Sequence, residues 1–398
     1  MSTQNIIKEY QKYIMPTYTK VPIVIKKGKG KYVWDENNKK YLDFFPGWAV
    51  STIGHCHPEV TGYIKSQLNK IIHVSNNYYN ELQAKLAKEI IRNSFKGKVF
   101  FANSGAEAIE SAIKLARKYG NPKRYQIISM KDSFHGRTLA ALALTGQSKY
   151  QEGFKPITPG FKHVPFNDFD ALKKAVNKKT VAIAIEPIQG EGGINLADKK
   201  YLKKVRELCD KKDILLIFDE IQTGLGRTGK MFCYQHYGVT PDIMTLAKTL
   251  GGGVPISAIV ARNKFSKVLT AGSHATTFGG SPLVCAASLG AFKAIKKEKM
   301  IQNVNKISPY IFGKLNKLKE KYCDIIDKVK GKGLMIGIKL KSPGAKIVNY
   351  CLEEGLLINC TQKYILRMLP PLNINKKDVD KAMKILDKVL KRYYKDEK

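Results

Sequence analysis

The chain of 398 residues is 43% hydrophobic and 26% charged, values that are typical of a folded globular protein and exclude wholesale disorder. Lysine and arginine number 69 against 33 acidic residues, which gives a formal net charge of +36 at pH 7. No stretch approaches the roughly 18 consecutive apolar residues of a membrane span, and the N-terminus lacks the apolar middle of a signal peptide. We therefore expect a cytoplasmic protein.

The net charge indicates which partners the protein could bind, and the spacing of the cysteines indicates whether it holds a metal. A charge of +36 attracts polyanions, but the lysines are spread along the chain and no aromatic-interleaved nucleic-acid motif is present. This distribution favours a solvated lysine-rich surface over nucleic-acid binding, and leaves an acidic protein partner open. The seven cysteines form no C-x-x-C pair, which favours reduced thiols over disulfides or a zinc site, so we expect no bound metal.

The predicted elements begin with a hairpin and continue as alternating strands and helices. Residues 23–43 predict a small hairpin around a turn at Gly28 and Gly30. Apolar β-rich runs then alternate with stretches of helical spacing, with strands at 98–102, 125–130, 180–185 and 214–218 and helices at 107–119 and 201–212. This alternation predicts an α/β fold with a mostly parallel sheet covered by helices on both faces.

The C-terminal part has a different pattern, in which β-rich runs lead to a closing amphipathic helix. The runs lie at 333–340, 356–360 and 364–369, and the apolar face of the helix spans 379–390. We therefore predict a large α/β domain at residues 46–289, and a smaller α+β domain built from residues 1–45 and 290–398 at the two termini.

A helix start after the predicted strand 98–102 is a candidate phosphate site. Ser104 and Glu107 have the S-x-x-E spacing of a capping box, and Gly105 between them lets the backbone approach a ligand closely. Free N–H groups and the positive end of the helix dipole suit a phosphate. Taken alone, the motif favours an ordinary capped helix, because capped helices are common.

An acid and a lysine at the ends of apolar runs are candidates for catalysis. Asp219 directly follows the run 214–218, where ligands of α/β sheets gather, and is suited to holding a protonated ring nitrogen. The alternative is an acid that opens a loop or pairs with Arg227. Lys248 ends another apolar run and precedes three glycines, a position that lowers the pKa of an amine and makes it nucleophilic.

Eight segments occur in one order along nearly the whole chain, at 54–58, 103–108, 134–138, 186–193, 218–229, 241–253, 277–280 and 331–337. Together they resemble the class-III aminotransferases of fold type I, most closely the acetylornithine and ornithine aminotransferase group. The resemblance implies a large domain with a mostly parallel, seven-stranded type of sheet, a smaller α+β domain, and pyridoxal 5′-phosphate as the cofactor.

The resemblance also implies which residues hold the cofactor ring. Lys248 would bind the aldehyde covalently and move protons, and Asp219 would pair with the ring nitrogen. Gln222 would contact the ring hydroxyl, and Phe134 would stack on the ring face.

The phosphate contacts implied by the resemblance come from two subunits. Gly105 and Ala106 would donate backbone N–H groups to the phosphate. Ala106 stands where many relatives carry Thr or Ser, so the hydroxyl is missing here. Thr277 would reach the phosphate of the neighbouring subunit, which implies a homodimer with shared active sites.

Further residues are implied to bind the substrates. Arg137 would bind a substrate carboxylate, for which its planar guanidinium is suited. Glu191 and Arg367 match a pair that opens and closes to admit two different substrates, the amino donor and the expected acceptor 2-oxoglutarate. This pair favours a transaminase over a racemase or an aminomutase on the same scaffold.

Three residues bear on the choice of amino donor. Tyr18 would line the substrate entrance, and Thr276 replaces the usual Ser beside the substrate. Trp48 stands where ornithine aminotransferases carry Tyr and acetylornithine enzymes carry a small aliphatic residue. Segments 15–18 and 45–50 are more similar to the acetylornithine branch, so we predict transfer of the terminal amino group of N-acetylornithine to 2-oxoglutarate in arginine biosynthesis.

Several alternatives stay open. Ornithine, succinylornithine or 4-aminobutyrate could be the donor, and the charge of +36 would suit a lysine precursor carried on an acidic carrier protein. A non-catalytic, anion-binding homologue is the alternative from a different class. The intact set of cofactor and substrate residues argues against it.

Overall fold

The computed structural model of the chain describes residues 2–396. The helices are α1 (Thr3–Tyr13), α2 (Pro58–Leu68), α3 (Glu81–Asn93), α4 (Gly105–Gly120), α5 (Leu139–Leu144), α6 (Phe169–Ala175), α7 (Lys199–Lys212), α8 (Pro282–Lys297), α9 (Met300–Lys321), α10 (Ala345–Glu353) and α11 (Lys376–Asp396). The strands are β1 (Ile25–Lys29), β2 (Tyr32–Asp35), β3 (Lys40–Asp43), β4 (Gly97–Ala102), β5 (Gln126–Met130), β6 (Phe161–Val164), β7 (Thr180–Ile185), β8 (Ile188–Gln189), β9 (Asn195–Leu196), β10 (Leu215–Asp219), β11 (Ile243–Leu246), β12 (Ser257–Arg262), β13 (Ile326–Lys332), β14 (Met335–Leu340), β15 (Leu356–Leu357), β16 (Asn359–Thr361) and β17 (Ile365–Met368). Across this part of the chain, none of the helices combines the length and the apolar run needed to cross a bilayer.

The large sheet has seven strands in the order β4-β12-β11-β10-β7-β5-β6. Strand β12 is antiparallel to both of its neighbours, and the remaining pairs are parallel. Successive side chains of β10 enter different apolar clusters, since Leu216 and Phe218 belong to one and Leu215 and Ile217 to the other. Apolar packing on both faces explains why the sequence of β10 is continuously apolar rather than alternating. The predicted α/β fold with a mostly parallel sheet is confirmed.

Side-chain caps explain where two predicted helices begin. Helices α4 and α7 each start two residues before their predicted positions. Ser104 accepts a hydrogen bond from the backbone of Glu107, and Asp198 accepts one from the backbone of Tyr201. These caps satisfy N–H groups that have no partner within the helix, and so determine the first turn.

Helix α1 and strand β12 were not predicted. Helix α1 has no buried residue. It therefore lacks the core-facing apolar stripe by which a helix is identified in a sequence. Its start is stabilised locally, because the Ser2 hydroxyl accepts a hydrogen bond of 3.3 Å from the backbone N–H of Asn5. Strand β12 is a short apolar run, and such runs do not distinguish strand from helix by their periodicity.

The described residues also form two four-stranded sheets, in the orders β1-β2-β3-β15 and β13-β14-β17-β16, and a two-stranded sheet of β8 and β9. Strand β15, from the C-terminal part, pairs in parallel with β3, from the N-terminal hairpin. This pairing is the contact that a small domain made from both termini requires. The bounds at 46 and 289 remain a proposal.

Arg227 joins the loop after β10 to the C-terminal part of the chain. Its fully buried guanidinium donates to the carbonyl oxygens of Leu334, at 3.0 Å, and Pro370, at 2.6 Å, and to the Thr52 hydroxyl at 2.9 Å. Asp219, considered as its partner from sequence, makes its own contacts elsewhere. Burial lowers the pKa of Arg227 to about 9.

We expect Arg227→Leu to destabilise the fold by about 3–5 kcal/mol, because it leaves buried acceptors without their charged donor. Urea denaturation measures the free energy of unfolding. Arg392→Leu is the control, since Arg392 makes a half-exposed ion pair with Glu353 and its loss should change stability little. Equal effects of the two substitutions would contradict a structural role for Arg227.

Candidate functional site

A cavity of about 520 Å³ lies at the carboxyl edge of the large sheet. Parallel strands deliver their carboxyl ends to one edge, so residues distant in sequence meet there. The residues predicted from sequence that line the cavity are Gly105, Ala106, Phe134, Arg137, Glu191, Asp219, Gln222 and Lys248.

Lys248 lies two residues after the end of β11, with its backbone in the left-handed region at φ 50°. A non-glycine residue in this region is strained, and such strain is concentrated at functional sites. Burial lowers the pKa of Lys248; the charge of Glu191 acts against that, and the charge of Arg367 adds to it. A larger fraction of the amine is therefore neutral and nucleophilic at neutral pH than for an exposed lysine.

Asp219 ends β10 and is held by three donors. Its Oδ1 accepts from the backbone of Ile221 and from the Thr245 hydroxyl, each at 3.1 Å, and its Oδ2 accepts from Nδ1 of His135 at 2.8 Å. Burial by itself lowers the pKa of His135, but the hydrogen bond and charge of Asp219 outweigh it and leave the pKa raised. The carboxylate is therefore kept in one orientation at the cavity wall.

The start of α4 forms one end of the cavity. A Cβ on Gly105 would approach Ile221 Cδ1 to 3.1 Å, so the glycine allows the backbone to lie close to the neighbouring loop. The predicted capping box forms only in part. The Glu107 carboxylate reaches one residue further back than expected, and accepts from the backbone N–H of Asn103 at 2.7 Å and from its side-chain amide at 2.9 Å.

Gln222 lies beside Asp219 on the loop after β10. Its Nε2 lies 3.3 Å from Glu191 Oε1, whereas its Oε1 is buried without a hydrogen-bond partner among the described residues. A Cβ on Gly190 would overlap this oxygen, so the glycine makes room for the amide. Gln222 therefore presents an unsatisfied acceptor or donor group at the cavity.

Glu191 and Arg367 form a bidentate ion pair, with nitrogen–oxygen distances of 2.6 and 3.0 Å. The fully buried Arg367 also donates from Nε to Asn359 Oδ1 at 3.0 Å. Burial raises the pKa of Glu191, but the charge and hydrogen bonds of Arg367 exceed this effect and lower it overall. The pair predicted from sequence is therefore present in its closed form.

Aromatic rings surround the second arginine of the site. The Arg137 guanidinium lies 4.0 Å from the Tyr150 ring centroid and 5.6 Å from that of Phe134. Arg137 is exposed at the cavity. Stacking orients its planar guanidinium and leaves its edge accessible to a carboxylate.

Tyr18 and Trp48 lie outside the cavity wall and form an aromatic group with Phe45. The ring centroids of Tyr18 and Trp48 are 6.5 Å apart, and those of Trp48 and Phe45 are 5.8 Å apart. The Arg367 guanidinium lies 4.9 Å from the Phe45 ring, so this group connects with the site indirectly. Trp48 is 48% exposed, in a left-handed turn at φ 54°.

Two predicted threonines do not line the cavity. The Thr276 hydroxyl accepts from Asn103 Nδ2 at 3.0 Å, which links it to a residue of the cavity wall. Thr277 is exposed. Its role in a neighbouring subunit remains a prediction.

Glu186 is a site residue to which sequence reasoning gave no role. It follows β7 directly, so the strand-end rule that selected Asp219 would have selected it as well. It accepts from the backbone of Phe134 at 3.0 Å and of Gly190 at 3.2 Å. Burial raises its pKa to about 7, with His135 opposing and Asp219 adding to the rise. His135, whose sequence context allows either packing or a place in the pocket, is the partner of Asp219.

The raised pKa of Glu186 predicts a pH dependence of stability. The folded state retains this proton to higher pH than the unfolded state, so the stabilisation is complete below about pH 4.5 and is lost as the pH rises through about 7. In Glu186→Gln this loss is absent, so the decline in unfolding free energy between about pH 5 and 8 should be shallower than in the wild type. The slope is measured by urea denaturation at several pH values. Exposed Glu207→Gln should keep the wild-type slope, and an unchanged slope in Glu186→Gln would contradict the assignment.

Comparisons with known proteins find relatives that match nearly the whole chain. The acetylornithine aminotransferase of Methanocaldococcus jannaschii is 52% identical over 393 residues, covering 98% of each chain. A structure of the acetylornithine aminotransferase of Elizabethkingia anophelis superposes with a TM-score of 0.88 at 33% identity, covering 98% of this chain and 100% of that one. A Toxoplasma gondii ornithine aminotransferase, whose structure is described as having partial occupancy of PLP at its active site, has a TM-score of 0.94 at 32% identity over 99% of this chain and 96% of its own.

The sequence model of the family described as aminotransferase class-III matches residues 13–390, which is most of the chain. That match includes every cavity residue described above. The chain therefore belongs to the class-III aminotransferases.

Proposed function

We propose that this aminotransferase uses pyridoxal 5′-phosphate to move the terminal amino group of N-acetylornithine to 2-oxoglutarate, in arginine biosynthesis. The observation that carries the proposal is the placement of the buried amine of Lys248 and the triply hydrogen-bonded carboxylate of Asp219 in one cavity. The name of the Methanocaldococcus relative, at 52% identity, supports the choice of donor.

Features of the cavity fit the proposed cofactor. The first turn of α4 offers backbone N–H groups to a phosphate, and Gly105 leaves room for its approach. Gln222 Oε1 is buried without a protein partner among the described residues, as expected of a group that binds a ligand hydroxyl. Phe134 lines the same cavity and supplies an aromatic surface for a planar ring.

Asp219 and Lys248 have different proposed roles in transamination. When bound, pyridoxal phosphate supplies an electron sink for the carbanion that forms on the substrate. Asp219 would pair with the ring nitrogen of the cofactor, since its carboxylate is held in one orientation by three hydrogen bonds. The amine of Lys248 would hold the cofactor aldehyde, and the same amine is placed to take up and return a proton at the substrate carbon.

Two arginines account for the use of two substrates. Arg137 presents its guanidinium edge to a carboxylate that both substrates carry. Arg367 is neutralised by Glu191 in the closed pair, which suits a donor with one carboxylate. A dicarboxylate such as 2-oxoglutarate would displace Glu191 and take Arg367 as its second partner. This exchange favours a transaminase over enzymes that need no keto acid.

The proposed assembly is a homodimer in the cytoplasm. Thr277 and Phe278 are exposed on the chain beside the site, and Phe278 is 60% exposed. A second copy covering this surface would bring Thr277 to the phosphate of the neighbouring site, as the family resemblance implies.

A panel of amino donors tests the proposed function. Protein loaded with pyridoxal phosphate is mixed separately with N-acetylornithine, ornithine, succinylornithine and 4-aminobutyrate, and the decrease in cofactor absorbance is followed. We expect N-acetylornithine to react with the highest specificity, by about tenfold or more over ornithine. Addition of 2-oxoglutarate should then restore the absorbance.

Two results of the panel would overturn the proposal. Reaction with only an amine linked to an acidic carrier protein would favour the carrier-dependent alternative. Turnover without any keto acid would favour a racemase or an aminomutase.

Lys248→Ala should remove the covalent attachment and slow the half-reaction by at least about 100-fold, because the proton-transferring amine is lost. Borohydride reduction followed by mass spectrometry reports the attachment, and stopped-flow absorbance reports the rate. Exposed Lys203→Ala is the control among the many lysines and should retain both. An adduct on Lys248→Ala at the wild-type level would show that another lysine carries the cofactor.

A further inference from the structure

The backbone around Glu191 lies in a glycine-rich segment that has little stiffness of its own. Gly190 precedes Glu191, and Gly192 and Gly193 follow it, in the turn between β8 and β9. Glycines lose more conformational freedom on ordering than other residues. The closed pair with Arg367 therefore requires contacts that hold this segment in place.

Gly190 and Gly192 each have a hydrogen bond, to Glu186 and from Asn195 respectively. The contacts to the backbone of Glu191 itself come from the last residue of β16 and the turn that follows it. The Thr361 hydroxyl donates to the backbone carbonyl oxygen of Glu191 at 2.8 Å, and the Gln362 side-chain amide donates to the same oxygen at 3.0 Å. Gln362 and Lys363 are both in the left-handed region, at φ 51° and 62°, which defines a tight turn. Both lone pairs of one carbonyl are thus engaged by adjacent residues.

The same hairpin carries Arg367. Asn359 on β16 is paired in register with Arg367 on β17, and its side chain accepts from the Arg367 Nε at 3.0 Å. Both members of the ion pair are therefore fixed to one rigid unit, the glutamate through its backbone and the arginine through its strand. Separation of the pair would therefore require rotation of the Glu191 side chain away from Arg367 and Gln222.

Gln362 extends the connection to the loop that carries Phe134 and Arg137. Its amide lies 2.9 Å from Gln147 Oε1, and Gln147 donates to the carbonyl oxygens of Asp132 and Ser133, each at 3.2 Å. The turn at 361–362 thus contacts the segments of both substrate-binding arginines.

We infer that Thr361 and Gln362 are specificity-determining positioning residues, which hold the Glu191 carbonyl so that its carboxylate occupies Arg367 until a dicarboxylate displaces it. The inference rests on the proposed two-substrate function. It adds the contacts that determine how strongly Glu191 competes with a dicarboxylate for Arg367. Releasing the carbonyl lets the glycine segment move, so Glu191 competes less well and a dicarboxylate binds Arg367 more tightly.

Binding of glutarate to the loaded enzyme tests this inference, because glutarate is a dicarboxylate that cannot accept an amino group. Thr361→Val keeps the side-chain shape and removes the donor, whereas Thr361→Ser keeps the donor. Isothermal titration calorimetry should give a glutarate Kd about threefold to tenfold lower for Thr361→Val, the range that one net hydrogen bond contributes. Thr361→Ser should bind glutarate as the wild type does.

Steady-state kinetics separates positioning from general damage. Thr361→Val should raise the ratio of kcat/KM for 2-oxoglutarate to kcat/KM for the amino donor, whereas a merely structural role would lower both together. Gln362→Met, which keeps the side-chain length, should change the same ratio in the same direction. This second variant serves as the test if Thr361→Val does not fold.

The outcomes distinguish this inference from the proposed function. Wild-type protein that fails to bind glutarate would contradict the two-substrate site and this inference with it. Wild-type protein that binds glutarate, with an unchanged Kd and an unchanged kinetic ratio in Thr361→Val and Gln362→Met, would overturn only the positioning role. An equal shift in Thr361→Ser would overturn it as well, because the hydroxyl would then not be the cause.

Discussion

Parallel pairing at the centre of the large sheet is the constraint on which the site depends. Strands β7, β10 and β11 run side by side in one direction, so their carboxyl ends deliver Glu186, Asp219 and Lys248 to the same edge. Apolar packing on both faces holds the strands, and burial alters the chemistry of the side chains at their ends: it lowers the pKa of Lys248 and raises that of Glu186. The fold thus supplies both the position and the reactivity of these groups.

The carboxylates of the site are distinguished by their partners rather than by their burial. Asp219 accepts hydrogen bonds from three donors within 3.1 Å. Glu191 pairs with a bidentate arginine, which lowers the pKa of its carboxyl against the effect of burial. Glu186 has only two backbone N–H donors, and its pKa rises to about 7. Neighbouring acids of one cavity therefore differ in their pKa, since that of Glu191 is lowered and that of Glu186 is raised.

The sequence predicted those site residues that a local pattern marks, and missed those that are defined by contacts between distant parts of the chain. Asp219 and Lys248 each follow an apolar run, and the order of the motifs linked them to one chemistry. The contact between Thr361 and Glu191 joins residues 170 positions apart, and no local pattern marks either end of it. The same limit applies to Arg227, because two of its three partners are backbone carbonyl oxygens, which every residue supplies, and the third is the distant Thr52 hydroxyl. The role of Thr277 cannot be assigned from a single chain, because its expected partner is the phosphate bound by a second copy of the chain.

The large positive charge of the chain does not determine the electrostatics of the site. Within the cavity, Asp219, Glu186 and Glu191 face Lys248 and Arg137, so acids and bases are nearly balanced there. Charges across a solvated surface are screened over about 8 Å at physiological ionic strength, whereas the pairs in the site lie within about 3 Å of each other and are shielded from solvent. The pKa values in the cavity therefore follow from these contacts and from burial. The formal net charge of +36 is that of the whole chain, and no acidic partner is needed to explain the pKa values in the cavity. This charge contributes to solubility and to the approach of anionic ligands.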